Sequence, residues 1–173
     1  IKLLANERTE KDPIVIAGGP CATFNPEPLS LFIDAFIIGE GEETINNFLD
    51  VYNDPSNENL SRKELLFKLA QVPGVYVPCF YDHIYDENNK LSAIKTNNNV
   101  PQKVSRQWIR DLDAYDGKTV ITTENTEFNL FLIETSRGCG RHCRFCMAGY
   151  CFRKPRHRSL DKLLSYLPQA KNL

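Results

Sequence analysis

Methionine and long hydrophobic runs are both scarce in this 173-residue sequence. The only methionine is Met147 and the first residue is isoleucine, so we expect the chain to be a piece of a longer protein. The longest apolar runs, such as residues 35–39 and 130–133, are far shorter than the roughly 20 residues that span a bilayer. The chain does not open with a basic segment followed by an apolar stretch, so no signal peptide is expected. These absences predict a cytoplasmic protein with no membrane contact.

The cysteines do not have the distribution of a disulfide framework. There are six, but three of them lie within residues 139–146 and the others are scattered. With 42% hydrophobic and 25% charged residues, the composition is that of a globular protein. A cluster of cysteines in such a chain favours a metal site in a reducing cytosol.

The first 53 residues predict a partial α/β domain. A short strand at 14–17 runs into the turn Gly18-Gly19-Pro20, and a helix over 29–33 follows a proline-rich helix start. A second strand at 35–38 ends in Gly39-Glu40-Gly41, and an amphipathic helix over 44–52 follows. Its predicted buried face consists of Ile45, Phe48, Leu49 and Tyr52. This alternation is typical of the C-terminal half of a doubly wound, Rossmann-like sheet.

Residues 54–128 read as a connector. They contain a short helix at 61–70, a strand at 75–77 and a hairpin of 80–85 with 91–95. The segments 97–101, 111–118 and 122–126 are linker-like.

Residues 129–173 predict one β-loop-α unit. A buried strand at 128–134 leads into the cysteine loop, and Ser159 caps a helix whose apolar stripe is Leu163, Leu164 and Leu167. A complete (β/α) barrel takes about 200 residues or more. We therefore expect this unit to be the start of a barrel that continues outside the chain.

The cysteine loop has the spacing C-x3-C-x2-C, formed by Cys139, Cys143 and Cys146. Thiolates are soft ligands that suit iron–sulfur clusters, and these short spacings let one loop hold three corners of a cube. Three ligands leave the fourth iron without a protein partner. An open metal position of this kind admits a small ligand.

These residues resemble the radical S-adenosylmethionine (SAM) superfamily, in which an aromatic residue precedes the last cysteine as Phe145 does here. The resemblance implies a [4Fe–4S] cluster on Cys139, Cys143 and Cys146, with SAM on the fourth iron. It implies an electron donor such as flavodoxin or ferredoxin, a 5′-deoxyadenosyl radical as the catalytic species, and contact between Phe145 and the adenine of SAM.

The N-terminal half, together with 134–140 and 153–159, is similar to bacterial radical SAM proteins that carry a cobalamin (B12)-binding domain. The resemblance implies that the two glycine turns approach a corrinoid. The residues concerned are Gly18, Gly19, Pro20, Gly39, Glu40 and Gly41. The alternative is that the glycines only form tight turns. The Asp-x-His-x-x-Gly motif that supplies a histidine to cobalt in other B12 proteins is absent from the sequence.

Two questions stay open from sequence. Cys151 or His142 could complete a zinc site or a closed cluster. The alternative for Cys151, and the expectation for Cys21 and Cys79, is a small, partly buried hydrophobic residue. His83 and His157 are expected at the surface. No acid lies between Glu134 and Asp161, a stretch with seven basic residues. They form either a solvated face that offsets the cluster charge or a docking patch for RNA. These residues are Arg137, Arg141, Arg144, Arg153, Lys154, Arg156 and Arg158.

The predicted function is therefore a radical SAM enzyme that performs methyl transfer or another radical modification on an unknown substrate. The alternatives are methylthio transfer to tRNA or protein, and a non-catalytic zinc or nucleic-acid-binding module. We expect this chain alone to bind the cluster weakly and to cleave SAM poorly.

Overall fold

The structure is a computed structural model that describes residues 1–97, 99–121, 130–152 and 154–170. It divides into two compact units, Ile1–Trp108 and Ile109–Leu173. The predicted linker at 122–126, the start of the predicted strand at 128–134, and Arg153 lie outside the described residues.

The first unit contains a three-stranded sheet. Its strands are β1 (Ile16–Ala17), β2 (Ala35–Ile37) and β3 (Val75–Tyr76), in the order β1-β2-β3. Strands β1 and β2 are parallel, with Ile16 opposite Ala35, and β3 is antiparallel to β2. The parallel pair and its flanking helices confirm a mixed α/β fold. The doubly wound sheet stays a prediction, since sheets with an antiparallel edge strand occur in several α/β folds.

Three helices accompany this sheet: α1 (Gly19–Phe24), α2 (Gly41–Tyr52) and α3 (Arg62–Leu69). Helix α1 already begins within the predicted turn, and Pro20 occupies its first turn, where proline is favoured. The helix predicted over 29–33 is wrong. Residues 30–33 are in no helix, and a 3₁₀ turn at Glu27–Leu29 precedes them. The described part of the unit also has 3₁₀ turns at Ala5–Glu7, Pro55–Asn57 and Pro78–Phe80.

Helix α3 confirms the helix predicted over 61–70. Ser61 accepts a hydrogen bond from the Glu64 amide, and the Glu64 carboxylate accepts one from the Ser61 amide at 2.9 Å. This reciprocal capping box satisfies two amides that the helix itself leaves unpaired.

The core of the first unit packs around β2, and the predicted face of α2 needs correction. Phe36 and Phe80 are fully buried, and α2 contributes Phe48. Leu49 and Tyr52 are more than two-fifths exposed, whereas Thr44 is buried. Residues four apart share a helix face, so α2 packs along Thr44 and Phe48 and turns Leu49 and Tyr52 outward, with Ile45 half-buried between the two faces.

Part of the predicted connector belongs to the first unit. Strand β3 pairs with β2, and Gln107 forms a parallel bridge with Gly39. The structure divides into its two units after Trp108, and the predicted domain boundary after residue 53 stays a prediction. The predicted hairpin is confirmed as β4 (Tyr81–Tyr85) and β5 (Leu91–Thr96), which pair antiparallel.

The second unit is built around a small antiparallel sheet. Its described residues include a 3₁₀ turn at Leu112–Ala114, the strands β6 (Ser136–Arg137) and β7 (Arg156–His157), and the helices α4 (Ala148–Cys151) and α5 (Leu160–Ala170). The described part of the predicted 128–134 strand forms a single antiparallel bridge between Ile133 and Lys118. The predicted β-loop-α unit therefore needs correction, because the loop returns through β7 and pairs with β6 before α5 begins.

Helix α5 confirms the predicted cap and corrects the predicted stripe. The Ser159 hydroxyl accepts a hydrogen bond from the Lys162 amide at 3.2 Å. Leu164 and Leu167 are about half exposed, and Tyr166 is the buried residue of the helix. No helix among the described ranges has the length and apolarity to cross a membrane.

Candidate metal centre

The cysteine loop is closed at its base by backbone pairing. Ser136 lies opposite His157 and Arg137 opposite Arg156, so the chain enters and leaves the loop side by side. Past these strands, the Cys139 amide donates to the Phe152 carbonyl at 2.8 Å. The first cysteine is thus fixed to the far end of its own loop.

Gly138 makes this closure possible. Its φ of +99° is in the left-handed region, and a Cβ there would lie 2.5 Å from the Lys154 carbonyl oxygen and 2.8 Å from that of Phe152. A side chain fits neither the dihedral nor the space. Glycine directly before the first cysteine is therefore a requirement of the closed loop.

The second and third cysteines stand at the ends of a tight turn. The Cys146 amide donates to the Cys143 carbonyl at 3.1 Å, which is the i to i+3 bond of a β-turn. Phe145 lies inside this turn and is 92% exposed. At the first cysteine, the Arg141 amide donates to the Cys139 sulfur at 3.5 Å.

The thiols are free, but their side chains do not converge. Cys139 and Cys146 are half-buried, Cys143 is exposed, and no cysteine is in a disulfide. Within the described ranges, no group of three or more His, Cys, Asp or Glu side chains is arranged to hold a metal ion. The donor set nevertheless suits an iron–sulfur cluster chemically, with three thiols on one closed loop. The ligand assignment stays a prediction.

The remaining cysteines and histidines differ in burial. Cys151 is only 4% exposed, within α4, as predicted for a small hydrophobic residue. The same prediction is wrong for Cys21, which is exposed. Cys79 is exposed as a residue, but burial raises the pKa of its thiol, so it is partly buried as predicted. His142 is exposed, whereas His83, predicted at the surface, is half-buried with its Nδ1 3.7 Å from Glu27.

Glu134 forms an ion-pair network at the base of the loop. Arg137 donates to both of its carboxylate oxygens, at 2.7 and 3.0 Å, and Arg158 donates to Oε2 at 2.7 Å. The hydrogen bonds from Arg137 lower the pKa of Glu134, against an opposing effect of burial, and those from Arg158 lower it further. Arg158 is buried and also donates to the carbonyls of Leu112 and Tyr115.

This network narrows both interpretations of the basic stretch. Arg158 is internal and Arg137 pairs with Glu134, so these two arginines are not part of an exposed basic face. For the exposed Arg141, Arg144 and Lys154, the charge-offsetting face and the RNA docking patch both stay predictions. Arg156 donates to the carbonyls of Lys154 and Ile109. Glu134 was not predicted as part of the site, although it is the last acid before a long acid-free stretch and so the nearest counter-ion in sequence for these arginines.

The two glycine turns of the first unit have different surroundings. They follow parallel strands and so lie at one edge of the sheet. Gly39 has a φ of +111°, and a Cβ there would overlap the backbone of Gln107. Glu40 is buried, and its amide donates to the Gln107 carbonyl at 3.0 Å. A tight turn with a close backbone approach thus accounts for glycine at position 39.

The first turn is open. Gly18, Gly19 and Pro20 are exposed, and a Cβ at Gly19 would meet nothing within 4 Å. The same holds for a Cβ at Gly41. Contact of these residues with a cofactor stays a prediction.

The comparisons with known proteins support the radical SAM interpretation at the level of the superfamily. Residues 1–78 match the family described as radical SAM proteins, N-terminal. This match supports the radical SAM superfamily. The matched segment lies in the first unit and ends before the cysteine loop. The cobalamin-binding domain and a bacterial source stay predictions.

A curated relative matches nearly the whole chain. It is an uncharacterized protein of Methanocaldococcus jannaschii, 32% identical over 165 residues that cover 95% of this chain and 30% of that protein. The chain thus spans under a third of the length of this relative. No solved structure matches the chain.

Proposed function

We propose that this chain is part of a radical SAM enzyme in which Cys139, Cys143 and Cys146 bind a [4Fe–4S] cluster and SAM binds the fourth iron. The observation that carries the proposal is the set of three free thiols on one closed loop. The family match of residues 1–78 supports the same class independently. When bound, the cluster would supply the electron that cleaves SAM to methionine and a 5′-deoxyadenosyl radical.

The chain's own residues would hold and tune this site. The amide of Arg141 already donates to the Cys139 sulfur, and hydrogen bonds to ligand sulfurs are among the factors that set cluster potentials. The exposed side chains of Arg141 and Arg144 would offset negative charge at the thiolates. The ring of Phe145 stands free in solvent beside Cys146, where it is accessible for stacking on an adenine.

Cobalamin is a narrower proposal. The first glycine turn, Gly18-Gly19-Pro20, has the open space that a bulky ligand needs. The second turn does not fit, because the backbone of Gln107 covers Gly39 and Glu40. We restrict any corrinoid contact to the first turn and to Gly41, where a Cβ would also meet nothing within 4 Å, and assign it no step in the reaction. Methyl transfer or another radical modification, on a substrate that the chain does not specify, remains the proposed outcome.

Anaerobic reconstitution of the full-length protein with iron and sulfide tests the proposal. We expect about four iron and four sulfide per chain, and an EPR signal of the reduced cluster that changes when SAM is added. Replacing Cys139, Cys143 or Cys146 with serine should abolish this cluster. Cys21→Ser and Cys79→Ser are matched controls, since both cysteines lie in the first unit, outside the cysteine loop.

Cys151→Ser separates an open site from a closed one. If only three cysteines bind iron, this variant keeps the cluster and its response to SAM. Loss of the cluster in Cys151→Ser, or stoichiometric zinc with no SAM response in the unmodified protein, would contradict the enzyme and favour a metal-stabilised module.

A further inference from the structure

Glu134 connects the chain before the cysteine loop to the chain after it. It lies ahead of β6, whereas its partner Arg158 directly follows β7, 24 residues later. Its other partner, Arg137, is part of β6. One carboxylate therefore joins the entry and the exit of the loop.

The pair with Arg158 is internal. The Arg158 side chain has no exposed surface, and the Glu134 side chain is 29% exposed. Exposed ion pairs contribute little to stability, whereas loss of one partner of a buried pair leaves an uncompensated charge. The neighbouring carbonyls of Leu112 and Tyr115 orient the guanidinium but do not neutralise it. Glu134 is thus the only carboxylate among the described residues with an ion pair to Arg158.

The pairing of β6 with β7 links the position of Glu134 and its arginines to that of Cys139. Arg137 pairs with Arg156 across β6 and β7, and the Cys139 amide is hydrogen-bonded to the Phe152 carbonyl. A shift of either strand would therefore move Cys139 relative to the far end of the loop. Glu134 itself contacts no thiol in the described structure.

We infer that Glu134 is a positioning residue for the cysteine loop, which it keeps closed by holding Arg137 and Arg158 together. The inference rests on the proposed function, since positioning matters only if the thiols bind the cluster. It assigns Glu134 no contact with SAM or substrate. Its role is to fix the backbone that presents Cys139, Cys143 and Cys146 as one ligand set.

The test compares Glu134→Gln with Asp116→Asn in the full-length protein. Both changes replace a carboxylate with its amide in the second unit. Asp116 is exposed and forms ion pairs with Lys118 and Lys162 rather than with Arg137 or Arg158. The readouts are hydrogen exchange of the Cys139 amide without metal, the rate at which a chelator removes iron from the loaded protein, and the SAM-induced change in the EPR spectrum.

We expect Glu134→Gln to accelerate exchange of the Cys139 amide. We also expect iron loss to be faster by about tenfold, the lower end of the loss in metal affinity found when outer-shell partners of metal ligands are removed. At equal iron content, its EPR response to SAM should be weaker than that of Asp116→Asn. A merely structural role would lower the loaded fraction but leave the SAM response of that fraction unchanged. That result would overturn the inference.

A second variant covers the case in which Glu134→Gln does not fold. Arg137→Gln removes one pair and keeps Arg158 neutralised by Glu134, so we expect a folded protein with smaller effects of the same kind. Unchanged exchange and iron loss in this variant would overturn the inference. If the unmodified protein binds no iron, the proposed function fails, and amide exchange alone still decides whether Glu134 closes the loop.

Discussion

The guanidinium of Arg158 lies against the backbone of Gly117, so closely that a Cβ at position 117 would overlap it. The same arginine is held by Glu134 and by the carbonyls of Leu112 and Tyr115. It cannot move away without losing these partners. Glycine at position 117 is therefore required by the buried arginine.

Gly117→Ala should destabilise the second unit by about 1–3 kcal/mol, the usual range for overpacking a filled interior. The urea midpoint of NMR signals from Tyr166, whose hydroxyl accepts a hydrogen bond from the Gly117 amide, reports the effect. Gly140→Ala is the matched control, because its Cβ would lie at an ordinary 3.5 Å from Pro155. Equal midpoints for the two variants would contradict the fixed position of Arg158.

Gly39→Ala tests whether the second glycine turn is structural. The new Cβ would meet the Gln107 backbone and would require a φ of +111°, so we expect a loss of about 1–3 kcal/mol. Gly41→Ala adds the same methyl group where nothing lies within 4 Å and should be neutral or stabilising by up to about 1 kcal/mol. Urea denaturation followed by fluorescence of Trp108, the only tryptophan, distinguishes them. A stable Gly39→Ala protein would show that the turn adapts.

The parts of this fold that could be predicted are the elements whose sequence signals lie within a short stretch of the chain. Apolar runs bounded by glycine indicate β1 and β2, and a capping residue with the right spacing indicates α3. The hairpin of β4 and β5 follows from two strand-like runs around a polar turn. Each of these signals is contained within a few adjacent residues.

The parts that sequence did not predict depend on contacts between distant segments. Nothing local to residue 107 indicates that its backbone covers Gly39. Strand β7 is too short and too basic to be recognised as a strand. Arg158 was assigned to the surface because arginine is seldom fully buried without a partner, and Glu134, the partner, belongs to another segment. The candidate site was found through its thiols, whereas its supporting pairs were not.

Asp34→Asn should destabilise the first unit strongly. The Asp34 carboxylate accepts hydrogen bonds from Arg8 at 2.8 Å and Arg62 at 2.9 Å, and from the Val15 amide at 2.7 Å. The side chains of Asp34, Arg8 and Arg62 are each at most 9% exposed. The variant would therefore leave two buried cations without their counter-ion. We expect a loss of about 3–5 kcal/mol in urea denaturation followed at Trp108. Asp50→Asn, on the exposed side of α2, is the control and should change little; a similar small effect at Asp34 would contradict the buried network.

The stability of the second unit should fall in acid, in a range set by Glu134. Hydrogen bonds from Arg137 lower the pKa of Glu134 below its ordinary value of about 4.3, so the folded state favours the ionised form. For a carboxylate lowered in this way, the stabilisation is complete above the ordinary pKa and is lost as the pH falls through the lower folded-state value. Urea midpoints of second-unit NMR signals should therefore be lower at about pH 3 than at about pH 6. Glu134→Gln has no proton to bind at this position, so it should be less stable than the unmodified protein at the higher pH and lose less stability on acidification. An equal loss of stability in both proteins would mean that other carboxylates, such as Asp113, govern the acid response.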